Sequence, residues 1–140
     1  MPLLPTVSLA IDAGLLVLIW MVQAVVYPSL RSQEAGPFKA RHRVYTRRMG
    51  YIVAPLMIAQ LALSSFRLLS DPSNLLSILH WTLVAGTWGA TFSLSVPLHK
   101  KLQARGKCPT TLAALVATNW IRTALWSLAF SVALANLSTA

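Results

Sequence analysis

Acidic side chains are nearly missing from this chain: Asp12, Glu34 and Asp71 stand against 12 Lys and Arg in 140 residues. Only 11% of the residues are charged, where a soluble domain carries about 25%, so a surface facing water on all sides is excluded. There is one cysteine, Cys108, which leaves no disulfide framework and no cysteine-based metal spacing. No basic residue precedes the first apolar block and no small-x-small cleavage site follows it. That block is therefore expected to stay in the mature protein rather than act as a cleavable signal. Histidines are few and scattered. His80 and His99 fall at opposite ends of one apolar segment and His42 in a basic connection, so haem is set aside, and the sequence names no metal and no other cofactor.

What is abundant is apolar, 56% of the chain, and it comes in long blocks rather than at the spacing of a globular core. Blocks at about 7–27, 49–68, 75–97 and 112–137 each reach or exceed the roughly 18 to 20 residues that a helix needs to cross hydrocarbon about 30 Å thick. The expectation is one all-α membrane domain over 1–140, a four-transmembrane-helix up-down bundle. Ten of the 12 basic residues lie in two connections: Arg31, Lys39, Arg41, Arg43, Arg47 and Arg48 in the first, and Lys100, Lys101, Arg105 and Lys107 in the third. Under the positive-inside rule these loops are cytoplasmic and both termini periplasmic, as in a bacterial inner membrane. The same rule, with attraction to anionic lipid, accounts for the charge without nucleic acid.

Local punctuation predicts the connections. Phe38, His42, Tyr45 and Met49 recur on one helical face while Lys39, Arg43 and Arg47 point away, which reads as an amphipathic interfacial helix running into the second span. Pro28 and Gly36-Pro37 read as turns before it, and Asp71-Pro72-Ser73 as a tight turn. Pro97 is expected to end the third span, Gly106 and Pro109 to break the loop, and Thr110 or Thr111 to cap the fourth helix. Ala85, Gly86, Gly89 and Ala90, with Ala113 and Ala117, form small-xxx-small patterns that permit close helix approach.

Ionisable groups within spans cost roughly 2.5 to 3.5 kcal/mol each and need partners or a task. Toward the termini, Asp12 and His80 are both about 8 to 9 Å inside their helix ends by helix rise and are expected to form a structural pair, with Arg67 within reach of Asp12. Toward the basic loops, Gln23 and Tyr27 share a face, Thr87 and Thr91 share a face with His80, and Asn119, Arg122 and Trp126 share another. Helix rise puts Arg122 and Gln60 both about 15 Å from the basic boundary, with no carboxylate at that depth. An inward guanidinium without an acid implies a polar cavity satisfied by amides, hydroxyls, water or an oxygen-bearing ligand such as a quinone, phenolate or lipid headgroup. The competing reading is Arg122 as interhelical glue bonded to Asn119, Gln60 and carbonyls. Of the tryptophans, Trp81 fits an interfacial belt, while Trp88, Trp120 and Trp126 are deep and read as packing or pocket walls.

Val96-Pro97-Leu98-His99-Lys100-Lys101-Leu102, followed by Asn119-Trp120-Ile121-Arg122-Thr123-Ala124-Leu125, resembles the end of small four-helix membrane proteins related to anthrone oxygenases. Tyr27-Pro28 and the segment from His42 to Met49 resemble bacterial membrane proteins of that size with no assigned function. The resemblance implies oxidation of an activated aromatic carbanion by dioxygen without metal or flavin. It carries over His99, Asn119 and Arg122 as substrate-facing, with His42 or Tyr45 as base or gate.

Two functions are thus expected from the sequence. One is a site for a hydrophobic small molecule, with or without catalysis, formed by Gln23, Tyr27, Gln60, Thr91, Asn119 and Arg122, with His42, Tyr45, Arg48 and His99 at its mouth. The other is a non-enzymatic accessory subunit packed against its own copies or a larger membrane complex. Transport has little support, with neither an internal repeat nor a broken helix legible.

Overall fold

The computed structural model describes residues 3–138, and every regular element among them is helical. Four helices, α1 (Leu3–Ser32), α2 (Ala35–Ser70), α3 (Leu75–Arg105) and α4 (Pro109–Ser138), are each long and apolar enough to cross a membrane. At about 1.5 Å per residue each exceeds the roughly 30 Å of hydrocarbon. The excess lies mostly at the basic end, where Arg31, Lys39, Arg43, Lys100 and Arg105 are exposed or flank exposed turns.

Proline does not interrupt the helices where it was expected to. Pro28 and Pro97 both lie inside continuous helical paths, each two residues past a π-helical turn, Val22–Val26 in α1 and Thr91–Ser95 in α3. A proline lacks the N–H that the ordinary ladder uses and its ring collides with the carbonyl four residues back. A turn with i→i+5 geometry displaces that carbonyl, so the chain continues. Gly36-Pro37 is likewise no turn, because Pro37 sits in the first turn of α2, where no N–H is needed. The interfacial segment and second span are consequently one uninterrupted 36-residue helix, with Phe38 and His42 fully buried along its inner face. Pro109 opens α4 rather than breaking the loop before it, which leaves Thr110 and Thr111 inside its first turn. Between α2 and α3 the turn is tight: the Asp71 N–H donates to the Arg67 carbonyl at 3.1 Å, and the Ser77 N–H donates to the Asn74 side chain at 3.1 Å, capping α3.

Each helix packs against two neighbours, so that α1 faces α3, and α2 faces α4, across the interior. Apolar contacts gather in two layers. Leu18, Val22, Tyr27, Leu30, Phe38, Leu102, Leu112 and Leu115 fill the basic half, while Leu15, Ile19, Met57 and Trp126 fill the middle. The small residues divide. Ala113 and Ala117 are exposed and Gly89 has open space around it, whereas a Cβ on Gly86 would meet Leu125 at 3.4 Å across the α3–α4 contact. Gly86→Leu is therefore expected to lower bundle stability by about 1 to 3 kcal/mol through overpacking, and Gly89→Leu to leave it unchanged. Thermal unfolding of both variants in one detergent checks the contrast.

Candidate functional site

The two π turns bring Tyr27 and His99 onto the same inner surface. Tyr27 follows the first directly and His99 comes one helical turn after the second. The Tyr27 hydroxyl lies 3.2 Å from His99 Nε2, and His99 Nδ1 lies 3.0 Å from His42 Nε2. His42 is held flat by Phe38, whose ring stacks on it at 5.2 Å. His42 and His99, both expected at the mouth of the site, are thus in direct contact, and the placement of His42 in a loop is corrected: continuous α2 helix carries it inward. Among the described residues no group of three or more His, Cys, Asp and Glu could hold a metal ion. The Tyr27–His99–His42 array is instead a proton-sharing chain. With the Tyr27 hydroxyl donating to His99 the chain runs one way; with His42 donating to His99 it reverses, and the Tyr27 proton is free to point elsewhere.

Arg122, on α4, is 7% exposed. Its Nη1 donates to Ser95 Oγ at 3.0 Å and to Asn119 Oδ1 at 3.2 Å, and its Cζ lies 5.1 Å from the centre of the Trp126 ring. Asn119 in turn donates at 2.7 Å to Gln23, whose Nε2 donates to the Val116 carbonyl. That string fixes one edge of the guanidinium. Its Nε remains buried without a hydrogen-bond partner, as does the hydroxyl of Thr91. Both residues line a cavity of about 150 Å³, together with Tyr27, Tyr45, Ser95 and His99 at its polar side and Leu18, Ile19, Val22, Met49 and Val53 at its apolar side. None of the lining residues is acidic, and the polar side is rich in hydrogen-bond donors, so an oxygen acceptor is the complementary ligand group. An apolar cavity of about this size holds a single benzene ring.

No protein-family model, curated protein or solved structure matches the chain. The chemistry is accordingly that of the side chains themselves, and not every expected residue joins it. Tyr27, Tyr45, Thr91, His99 and Arg122 line the cavity. Gln23, Asn119 and His42 stand behind them and hold them in place. Arg48 lies on the outer side of α2, in a neighbouring groove and not in the cavity itself. Trp120 is 51% exposed and pairs edge-on with Trp20 on the outside, so it is no pocket wall. Ser95 was overlooked, although Thr91, Ser95 and His99 repeat every four residues and mark a polar stripe readable from spacing.

Gln60 belongs to a second network toward the termini, where it donates to Asp12 and accepts from Trp126 Nε1 at 3.2 Å. Asp12 Oδ2 also lies 3.1 Å from His80 Nε2, and His80 Nδ1 lies 3.0 Å from Ser64 Oγ. Asp12 and His80 do meet, and Gln60 and His80 occupy the acid's two oxygens. Gln60 and Trp126 thereby link the acid to the guanidinium, which lies over the Trp126 ring, so Arg122 reaches a carboxylate only through two intervening side chains.

Proposed function

We propose that this chain is an integral membrane protein of a bacterial inner membrane, an up-down bundle with both termini periplasmic and the basic loops cytoplasmic. In its cytoplasmic half it binds a hydrophobic molecule with a single oxygen-bearing ring, a quinone or phenol, whose oxygen accepts from Arg122. One observation carries this reading: Arg122 and Thr91, each with a buried polar group that has no partner, line one ring-sized cavity that has no acid. Tyr27 and His99, which line the cavity, supply or remove that oxygen's proton, with His42 behind His99 as the next member of the chain. The resemblance to anthrone oxygenases would make the bound ring a substrate for dioxygen, with His99, Asn119 and Arg122 facing it and His42 or Tyr45 as base or gate, and a volume that suits one ring favours a substrate smaller than three fused rings.

The test is to purify the protein from its native membrane and extract what it carries. A quinone or phenol in near-stoichiometric amount, absent from Arg122→Gln, supports the reading. Firmly bound partner polypeptides, retained by Arg122→Ala with no extractable ring compound, would favour an accessory subunit instead. That second reading has one observation of its own, the outward Trp20–Trp120 pair.

Orientation has a separate handle in Cys108, the one cysteine, which stands between α3 and α4. Hydrogen bonds from the Thr110 and Thr111 side chains hold its thiol down to about 6. Thiolate is the reacting form, so alkylation by a charged maleimide should be nearly independent of pH above 7 and fall as pH drops through about 6. It should proceed in inverted vesicles and not in intact cells; the opposite sidedness would reverse the orientation.

A further inference from the structure

A ring that fills about 150 Å³ leaves little room for a substituent, so any substituent must extend into a neighbouring hollow, and two hollows share lining residues with the cavity. Toward the loops it shares Thr46, Val96 and His99 with a vestibule of about 420 Å³ that also holds Arg43, Arg47 and Lys100. Gln103 donates to Thr46 at 2.7 Å in the same place. Three cations and no acid suit water, protons or an anion there, and an apolar chain would strip those cations of water at a cost. Toward the outside of α2 the cavity shares Tyr45 and Met49 with a groove of about 550 Å³, whose walls include Val44 and Ile52 and also Arg41 and Arg48, both exposed enough to keep their charged ends in water. That groove is mostly apolar, with Val44 and Ile52 exposed at 37% and 55%. It runs about 18 Å along the helix by rise alone, and it straddles residue 49, where the apolar block begins.

We infer that the ligand is an amphiphile: the ring seated against Arg122 carries a hydrocarbon chain that passes between Tyr45 and Met49 and lies in the groove on α2. This rests on the ring-binding reading above and adds the ligand's class and its route, which is lateral, from the bilayer. Tyr45 is then the wall that the chain must pass, and Arg48 stands at the groove's rim, at the level where a membrane lipid changes from headgroup to hydrocarbon.

Moving a chain from lipid into this groove gains little, because lipid tails are as apolar as the groove itself. The signature is therefore steric. Two probes share one head, a methyl-substituted benzoquinone without a tail and the same ring bearing a decyl chain. Each is titrated against wild-type protein and Val44→Trp in nanodiscs of one fixed lipid composition, so partitioning cancels in the wild-type to variant ratio. Filling the groove should weaken the decyl probe at least tenfold and leave the tailless ring within twofold, and that retained binding also proves the variant folded. Equal change for both probes, or none for either, with the ring still bound, overturns the lateral route and leaves the ring site standing. Failure of the wild type to bind either probe overturns the ring site itself.

Discussion

Arg122→Gln should lose a tailless benzoquinone by about 10- to 150-fold while the protein stays as stable as before or becomes more so. The affinity loss follows from a hydrogen bond to a charged donor, worth about 1.5 to 3 kcal/mol, at about 1.4 kcal/mol per tenfold. The stability claim has a different origin. A guanidinium in mid-span costs roughly 2.5 to 3.5 kcal/mol, and here Nη1 is repaid by Ser95 and Asn119 while Nε has no partner. Glutamine removes the cost and still reaches one of them. Arg122→Lys should fall between, since an ammonium keeps the charge but cannot serve Ser95, Asn119 and the cavity through one planar fork. Equilibrium binding in nanodiscs and thermal unfolding in detergent, run on the same preparations, separate a ligand-binding arginine from a structural one. A variant that melts early and binds as well as wild type makes Arg122 a strut.

Asp12→Ala should show the reverse pattern, a stability loss of about 1 to 3 kcal/mol with ring affinity within twofold. The carboxylate accepts from Gln60 and contacts His80, and all three are at most 2% exposed. Leaving such groups unpaired costs about 1 to 3 kcal/mol each in water-reference measurements. Interhelical hydrogen bonds in membranes average nearer 0.6 kcal/mol, because the unfolded helices find other partners. Asp12→Asn should cost less than alanine, since it keeps an acceptor for one of the two. Thermal unfolding ranks the three proteins; Asp12→Ala melting with wild type would mean that the network holds nothing together.

Four helices were readable because length and apolar content are summed over some twenty residues and tolerate errors at the ends. Arg122 was readable because one cation in an apolar run has few places to go, and its neighbours Asn119 and Trp126 follow from spacing on the same helix. The meeting of His42 with His99 was not. It depends on the register between α2 and α3, which no single-helix pattern contains. Counting residues from a boundary puts Gln60 level with Arg122, but α2 extends well beyond that boundary and the amide bonds Asp12 and the Trp126 indole instead. Pro28 and Pro97 misled for a different reason. A proline is a terminator only for a ladder of i→i+4 bonds, and nothing in VQAVV or TFSLS announces that the ladder widens there.

Each widened turn has a geometric meaning of its own. An i→i+5 turn holds one residue more than the α-helix it replaces, so each acts as a phase shifter set into a rod. Excising one residue from Val22–Val26 or from Thr91–Ser95 would leave the far side where it is, whereas winding either segment as plain α-helix, with no residue removed, would swing everything beyond it by about 100°. Tyr27 would then point away from His99, or His99 away from Tyr27, with every hydrophobic residue upstream undisturbed. The aim of the whole site is thus set by two widened turns, one in each of two helices that face each other across the bundle.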